Sequence, residues 1–363
     1  MLYFVLPFAV SAAVTLAVVH AAGRDSHRWT DHDLSGPQKF HVRPVPRVGG
    51  VGMFLGLVAC VAVAAWAHHA TWRLGALMLA CGLPAFLAGL VEDMTKRVSP
   101  AKRLLATAVS AALGIWLIGA TITRTDLPGL DWLVSTALGA WVATVFTVAG
   151  VANAVNIIDG FNGLSSMCVS LMLLAFAYVA YQVGDVTLAL WALAGVGAAL
   201  GFFVWNFPAG LIFLGDGGAY FLGFYLAEIG ILLISRNAEV SPLFPLMVCI
   251  YPVFETVFSI YRRKIVRSVP PGLPDGIHLH SLIYRRLMRW AIGARDARVL
   301  TRRNSMTAPY LWMLCLTSLA PALLFWDSTP MIVACMVAFG LIYVMLYRRI
   351  VRFKTPKWMV VRR

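Results

Sequence analysis

Eleven apolar runs constrain this chain more than any other feature, because each is long enough, or nearly so, to cross the roughly 30 Å hydrocarbon core of a bilayer as a helix. They lie at Leu2 to Ala22, Val48 to Ala67, Leu74 to Leu90, Leu104 to Ala120, Leu133 to Ala149, Leu164 to Tyr181, Val186 to Trp205, Leu211 to Ile234, Pro242 to Tyr261, Tyr310 to Trp326 and Met331 to Tyr347. In lipid every backbone polar group must be satisfied internally, so such runs fold as helices. With 60% hydrophobic and 13% charged residues over 363 positions, an ordinary soluble domain is excluded. The expected fold is all-α: a polytopic integral membrane protein with about 11 transmembrane helices.

Orientation follows from the basic residues, which cytoplasmic loops retain. With the N-terminus outside, 27 of the 30 lysines and arginines fall in cytoplasmic segments, and only Arg73, Arg124 and Arg236 fall opposite. The C-terminal tail is then cytoplasmic. The net charge of +14 is mostly this topology signal, plus attraction to anionic lipid and phosphorylated substrates. It gives little support to nucleic acid as a partner. The first run lacks the basic start and small-residue cleavage site of a signal peptide and reads as a retained span. All six cysteines lie inside apolar runs without C-x-x-C spacing and read as packing residues. No linker or repeat divides the sequence, so residues 1–363 read as a single membrane-embedded domain, with residues 262–309 as a long cytoplasmic loop. External loops are short, and most polar residues needing explanation lie on the cytoplasmic side. Function is expected on that face.

Four polar clusters recur there at alternate crossings. Ile212 to Tyr220, I-F-L-G-D-G-G-A-Y, sets one carboxylate, Asp216, in a glycine-rich turn where backbone and ligand approach closely. A hard cation with a phosphate suits it, and so does a helix start with Asp216 as the cap. Asn206 and Phe213 flank that turn, and Phe213 offers either a stacking face for a base or plain packing. Gly89 to Arg97 carries the adjacent acids Glu92 and Asp93 at a helix end, which alone suits a solvated terminus. Asn153, Asn156 and Asp159 follow i, i+3, i+6 spacing and, if helical, lie broadly on one side. His278 and His280 follow the stiff stretch Val269 to Gly276 and could bind a metal or a phosphate, although an isolated pair is more often surface, and no cysteine or third histidine lies close by to complete a dedicated zinc site. Beyond them Ile283, Leu287 and Trp290, with Arg285 and Arg289 on the other side, suggest a short amphipathic helix lying on lipid headgroups or packed on the protein's own loops.

Together these clusters resemble the polyprenyl-phosphate N-acetylhexosamine-1-phosphate transferases, the glycosyltransferase family 4 membrane enzymes of the MraY and WecA types. The likeness runs from Arg43-Pro44-Val45-Pro46-Arg47-Val48-Gly49-Gly50 to His280. Glu92-Asp93 looks like the family's acid pair, Asn156-Ile157-Ile158-Asp159-Gly160 like its N-x-x-D-G motif, Phe213-Leu214-Gly215-Asp216 like its metal loop and His278-Leu279-His280 like its histidine motif. The resemblance implies a Mg²⁺-dependent enzyme, with Mn²⁺ as a substitute, in which polyprenyl phosphate attacks the β-phosphorus of a UDP-sugar and releases UMP. Asp216 would hold the metal and Phe213 would stack on uracil. Arg47, Asn153, Asn156, Asp159 and Asn206 would bind substrate, and Glu92, Asp93, His278 and His280 would surround the reacting phosphates. The usual acid pair is two aspartates; Glu92 departs from it by one methylene. Because a phosphate monoester is already mostly dianionic at neutral pH, the acid pair is expected to bind metal or orient phosphate rather than act as a base.

The implied partners are a UDP-sugar donor, a polyprenyl phosphate acceptor, membrane lipid and, for assembly, a homodimer; the implied location is the bacterial inner membrane. His-Leu-His in place of three consecutive histidines favours UDP-N-acetylglucosamine as donor and a surface polysaccharide as pathway, over the UDP-muramoyl-pentapeptide of peptidoglycan synthesis. A polytopic transporter or lipid flippase is the competing class, and Glu228, about 18 Å beyond Asp216 along a helix, is the residue that suits it.

Overall fold

The computed structural model describes residues 1–24, 30–31, 45–266, 268, 276–288 and 297–352. These are overwhelmingly helical. In chain order the helices are α1 (Leu2–Arg24), α2 (Gly50–Trp66), α3 (Trp72–Thr95), α4 (Pro100–Ile118), α5 (Leu130–Val134), α6 (Ala137–Ile158), α7 (Leu164–Gln182), α8 (Val186–Asn206), α9 (Gly215–Arg236), α10 (Phe244–Val248), α11 (Ile250–Tyr261), α12 (Leu279–Leu282), α13 (Ala297–Ser305), α14 (Ala308–Leu324) and α15 (Thr329–Val351). Short π-helical turns cover Arg262–Val266 and Ile283–Met288. The strands β1 (Thr30–Asp31) and β2 (Val45–Pro46) form a small antiparallel pair.

Among the described residues nine helices are long and apolar enough to cross a membrane, which makes this an all-α, multi-pass membrane protein. Two of the eleven expected runs take other forms. Gly50–Trp66 is an apolar helix of 17 residues, just under that length. Pro242 to Tyr261 is broken into α10 and α11 around Cys249. The cause is local: Pro252 has no N–H to give the carbonyl four residues back, so the ladder stops there.

Other helices outrun their apolar stretches. α3 continues to Thr95 and α6 to Ile158, so Glu92, Asp93, Asn153 and Asn156 ride on the ends of spanning helices. Polar side chains at a helix end reach headgroup and solvent while the backbone ladder continues, so hydropathy underestimates these helices.

The centre of the molecule is α9, in which every residue from Gly217 to Ile234 is buried. A helix apolar around its whole circumference belongs inside a bundle, and α9 is packed by α2, α3, α4, α6, α7 and α8. Close approach at its N-terminal end depends on Gly89 of α3, where a Cβ would collide with the backbone of Asp216 and Gly217. α1 is integral to this packing: Ser11 Oγ donates to the Ala198 carbonyl at 2.7 Å, and Trp205 Nε1 donates to the Ala12 carbonyl at 2.9 Å. Five of the six cysteines are buried, and all are free. Ile283 and Leu287 are also buried, against the headgroup alternative for that segment, whereas Arg289 and Trp290 lie outside the described residues.

Candidate active site

At the N-terminal end of α9 lies a cavity of about 360 Å³. Its walls come from five stretches far apart in sequence: the strand-like segment at Arg47, the end of α6, the end of α8, the loop into α9, and the segment through His278 to Ser281, with Asn304 of α13 closing one side. Arg47, Asn156, Asp159, Asn206, Phe213, Asp216, His278 and His280 all line it. Three other candidates, Glu92, Asp93 and Asn153, do not.

Backbone pairing sets the first wall. Phe213 N–H donates to the Pro46 carbonyl at 2.8 Å, and the amides of Gly49 and Gly50 donate to the carbonyls of Phe213 and Leu214 at 3.0 Å each. This holds Arg47 beside Phe213 and Asp216. Gly215 makes the turn, with a φ of +77° and no room for a Cβ between the Arg47 carbonyl and the Asp93 carboxylate.

Asp216 sits in the first turn of α9, where the helix dipole favours negative charge, but it is not the cap. That work falls to Asp93 of α3. Its Oδ1 accepts from the Asp216 amide and its Oδ2 from the Gly217 amide, both at 2.9 Å, so one carboxylate satisfies two orphan donors of a neighbouring helix. Glu92 points elsewhere, accepting from the Val98 amide at 2.7 Å and closing the turn between α3 and α4. Asn153 accepts from the Tyr220 hydroxyl at 3.3 Å, on the α9 side of its helix. The extra methylene of Glu92 therefore falls on a residue set in a turn behind the cavity.

Asp216 pairs through Oδ2 with Arg103 Nη1, and the Arg103 guanidinium lies 5.6 Å from the Tyr220 ring centroid. Arg103 was legible in the sequence only as one of the topology-setting cations; nothing local marks it as the partner of a residue 113 positions on. Asp159 caps the end of α6 and accepts from Ser165 Oγ. Burial raises its carboxyl to about 7, opposed by the Ser165 hydrogen bond and the Arg47 charge and reinforced by Asp216 and Asp93. Asn206 lines the cavity with a committed amide: its Nδ2 donates to the Ile212 carbonyl at 2.7 Å and its Oδ1 accepts from the Gly163 amide. It shapes the loop before α9.

The histidines occupy the opposite wall. Both are buried, at 6% and 4% exposure, which removes the exposed-surface alternative. Their rings stack at 5.1 Å, and His280 meets Phe161 edge-on at 5.4 Å. His278 Nδ1 is 2.9 Å from Glu255 Oε1. Glu255 went unnoticed in the sequence because it sits singly within an apolar run. Of the stretch leading to the histidines, residues 269–275 lie outside the described residues, as do Arg43 and Pro44 of the first motif.

Ten of the sixteen residues that line the cavity carry side-chain oxygen or nitrogen atoms, and none is a cysteine. Among the described residues no three His, Cys, Asp or Glu side chains are gathered into a metal cluster. The lining carboxylates suit Mg²⁺, which keeps several waters and is held by one or two carboxylates plus substrate phosphates. Asp216, whose Oδ2 is paired with Arg103, is the lining carboxylate of the glycine-flanked turn and could hold such an ion.

The fold and site together are a multi-pass helical bundle with an acid, amide and histidine cavity at the ends of its helices. Residues 75–234 match the sequence model described as Glycosyl transferase family 4. The matched region contains every candidate from Glu92 to Asp216 and ends before the histidines. A probable undecaprenyl-phosphate N-acetylglucosaminyl 1-phosphate transferase of Bacillus subtilis is 28% identical over 299 residues, 81% of this chain and 80% of that protein. An undecaprenyl-phosphate alpha-N-acetylglucosaminyl 1-phosphate transferase of Thermotoga maritima is 28% identical over 71% of this chain and 74% of its own length. A phospho-N-acetylmuramoyl-pentapeptide-transferase of Geobacillus kaustophilus is also 28% identical, over a shorter share, 52% of this chain and 60% of that protein.

Proposed function

We propose that this protein transfers N-acetylglucosamine 1-phosphate from its UDP-linked form to undecaprenyl phosphate, releasing UMP, as the first step of a surface polysaccharide. The observation that carries the reading is the convergence of Arg47, Asp159, Phe213, Asp216, His278 and His280 on one cavity, in a chain 28% identical to relatives that bear names of this activity. A phosphate oxygen of the acceptor attacks the β-phosphorus, the bond from that phosphorus to the bridging oxygen breaks, and UMP carries the electron pair away. Both reactants are anions, so positioning and charge neutralisation supply most of the rate.

The residues divide that work. Phe213 offers a face for the uracil, Asp159 and Asn156 flank the nucleotide, and Arg47 with the two histidines surrounds the phosphates. Mg²⁺ held at Asp216 would supply Lewis-acid neutralisation of the pyrophosphate. Asp93 works at one remove: its two hydrogen bonds fix the turn that carries Asp216. Glu92 and Asn153 contribute through the turns and helix contacts that they hold.

The distribution of basic residues supports a cytoplasmic location for this cavity, in the bacterial inner membrane, with the N-terminus outside. Purified protein should release UMP from UDP-N-acetylglucosamine only with polyprenyl phosphate and Mg²⁺ present. Turnover confined to a muramoyl-peptide donor moves the chain to peptidoglycan synthesis, and vectorial lipid movement without UMP release supports a flippase.

A further inference from the structure

The most completely hydrogen-bonded carboxylate in this region of the molecule stands behind the cavity wall. Glu255 of α11 is 1% exposed, yet three polar groups from two segments converge on it. Leu279 N–H reaches Oε1 at 3.0 Å, Tyr343 O–H of α15 reaches Oε2 at 2.6 Å, and His278 Nδ1 lies 2.9 Å from Oε1. A buried carboxylic acid is costly in an apolar bundle, and two donors, the Leu279 amide and the Tyr343 hydroxyl, offset that cost by serving its two oxygens.

The same few residues are clamped from the other side. Arg262 Nη1 donates to the Ile277 carbonyl at 2.7 Å and to the Tyr347 hydroxyl at 2.7 Å, and Tyr347 O–H reaches the same carbonyl at 3.2 Å. The backbone before His278, the backbone after it and its ring are thus each held by a named bond. Opposite Glu255 the structure offers a contrast within the same bundle. Glu228, buried in α9 against Gly114, has no hydrogen-bond partner for either oxygen among the described residues and lies away from the cavity.

We propose that Glu255 is the positioning residue for His278: it holds a proton on Nδ1 and fixes the ring plane, so that Nε2, once it also carries a proton, donates to substrate phosphate in the cavity. This deepens the transferase reading and rests on it. A third group that orients an imidazole and fixes its tautomer contributes to the rate through the histidine alone, without touching substrate. Tyr343 has the same role at one further remove, by holding the second oxygen of Glu255.

Two measurements on the full-length protein in detergent test this. The first is ¹⁵N NMR of the imidazoles in histidine-labelled protein, with the His278 signal assigned by its loss in His278→Ala among the eight histidines of the chain. The neutral ring should carry its proton on Nδ1 in wild type and lose that preference in Glu255→Gln; a neutral ring with its proton on Nε2 in wild type overturns the proposal. The second is kinetics. Glu255→Gln should lower kcat by about tenfold to a hundredfold, the range typical of outer partners of functional histidines, while KM for UDP-N-acetylglucosamine stays within about twofold. In a His278→Ala background the same substitution should add no further loss. Should Glu255→Gln fold poorly, Tyr343→Phe should show the same kcat-only pattern at smaller amplitude. Wild-type kcat in Glu255→Gln, or an equal loss with and without His278, overturns the positioning role. A wild-type protein inactive on the nucleotide sugar breaks the transferase reading instead, and the tautomer measurement still decides Glu255.

Discussion

The two long walls of the cavity solve one problem with opposite means. On the α9 wall, Asp216 faces the cavity and a second acid, Asp93, stands behind it holding two backbone amides. On the histidine wall, His278 faces the cavity and an acid, Glu255, stands behind it holding the ring itself. In one case the hidden carboxylate fixes a helix start, so that a negative group is presented; in the other it fixes a side chain, so that a neutral or cationic group is presented. The comparison teaches that an acid need not line the cavity to shape it. Its contribution can be the direction in which another residue points.

If Asp216 alone among these acids meets the metal, its loss must exceed all others. Asp216→Asn should abolish measurable turnover, a loss of about a thousandfold or more, as expected when a preorganised electrostatic partner is removed. The variant should still be extracted folded, because the capping of α9 by Asp93 remains. Near-normal activity there would pass the metal role to Asp159. On the other wall, alanine at His278 or His280 should each slow turnover by about an order of magnitude, roughly 1.4 kcal/mol in barrier. Wild-type kinetics in both would leave the histidine wall a structural one.

The hidden acid of the α9 wall should act on stability as well as rate. Asp93→Ala leaves two amides of the first turn unsatisfied and should cost about 1 kcal/mol of stability, read as a lower melting temperature in detergent. Should the melting temperature hold while turnover vanishes, Asp93 would be acting on substrate directly and the symmetry between the walls would fail.

The smallest effect concerns Asp159. Its carboxyl, raised to about 7 by burial, is protonated in the folded protein over a range where the unfolded chain has already lost the proton. The stability it contributes is therefore full below the ordinary aspartate range, near pH 4, and is lost as pH rises towards 7. Melting temperature measured from pH 4 to 8 should fall less steeply in Asp159→Asn than in wild type. Parallel curves would mean that Asp159 titrates in its ordinary range.

Much of the site was legible before any coordinates. A glycine-flanked aspartate, an N-x-x-D-G stretch and a His-x-His pair are local patterns, and the structure gathers Asn156, Asp159, Phe213, Asp216, His278 and His280 around one cavity. Helix boundaries were legible less well. Hydropathy marks where lipid ends, whereas hydrogen-bond geometry carries α3 and α6 several residues further, and Pro252 divides a run that is apolar throughout.

The chain by itself determined that it must be a helical membrane protein, because lipid leaves an apolar segment no other way to satisfy its backbone. It also determined which polar residues stand out, because a charge near hydrocarbon is costly enough to require a reason. Only the tertiary structure decided which of them act together. Asp93 and Asp216 are 123 residues apart, Arg103 and Asp216 are 113 apart, and Glu255 and Tyr343 are 88 apart. No local period or spacing encodes such pairings. They exist because α9 packs against α3 at Gly89, and because α11 and α15 bring their acid and hydroxyl to the back of one histidine.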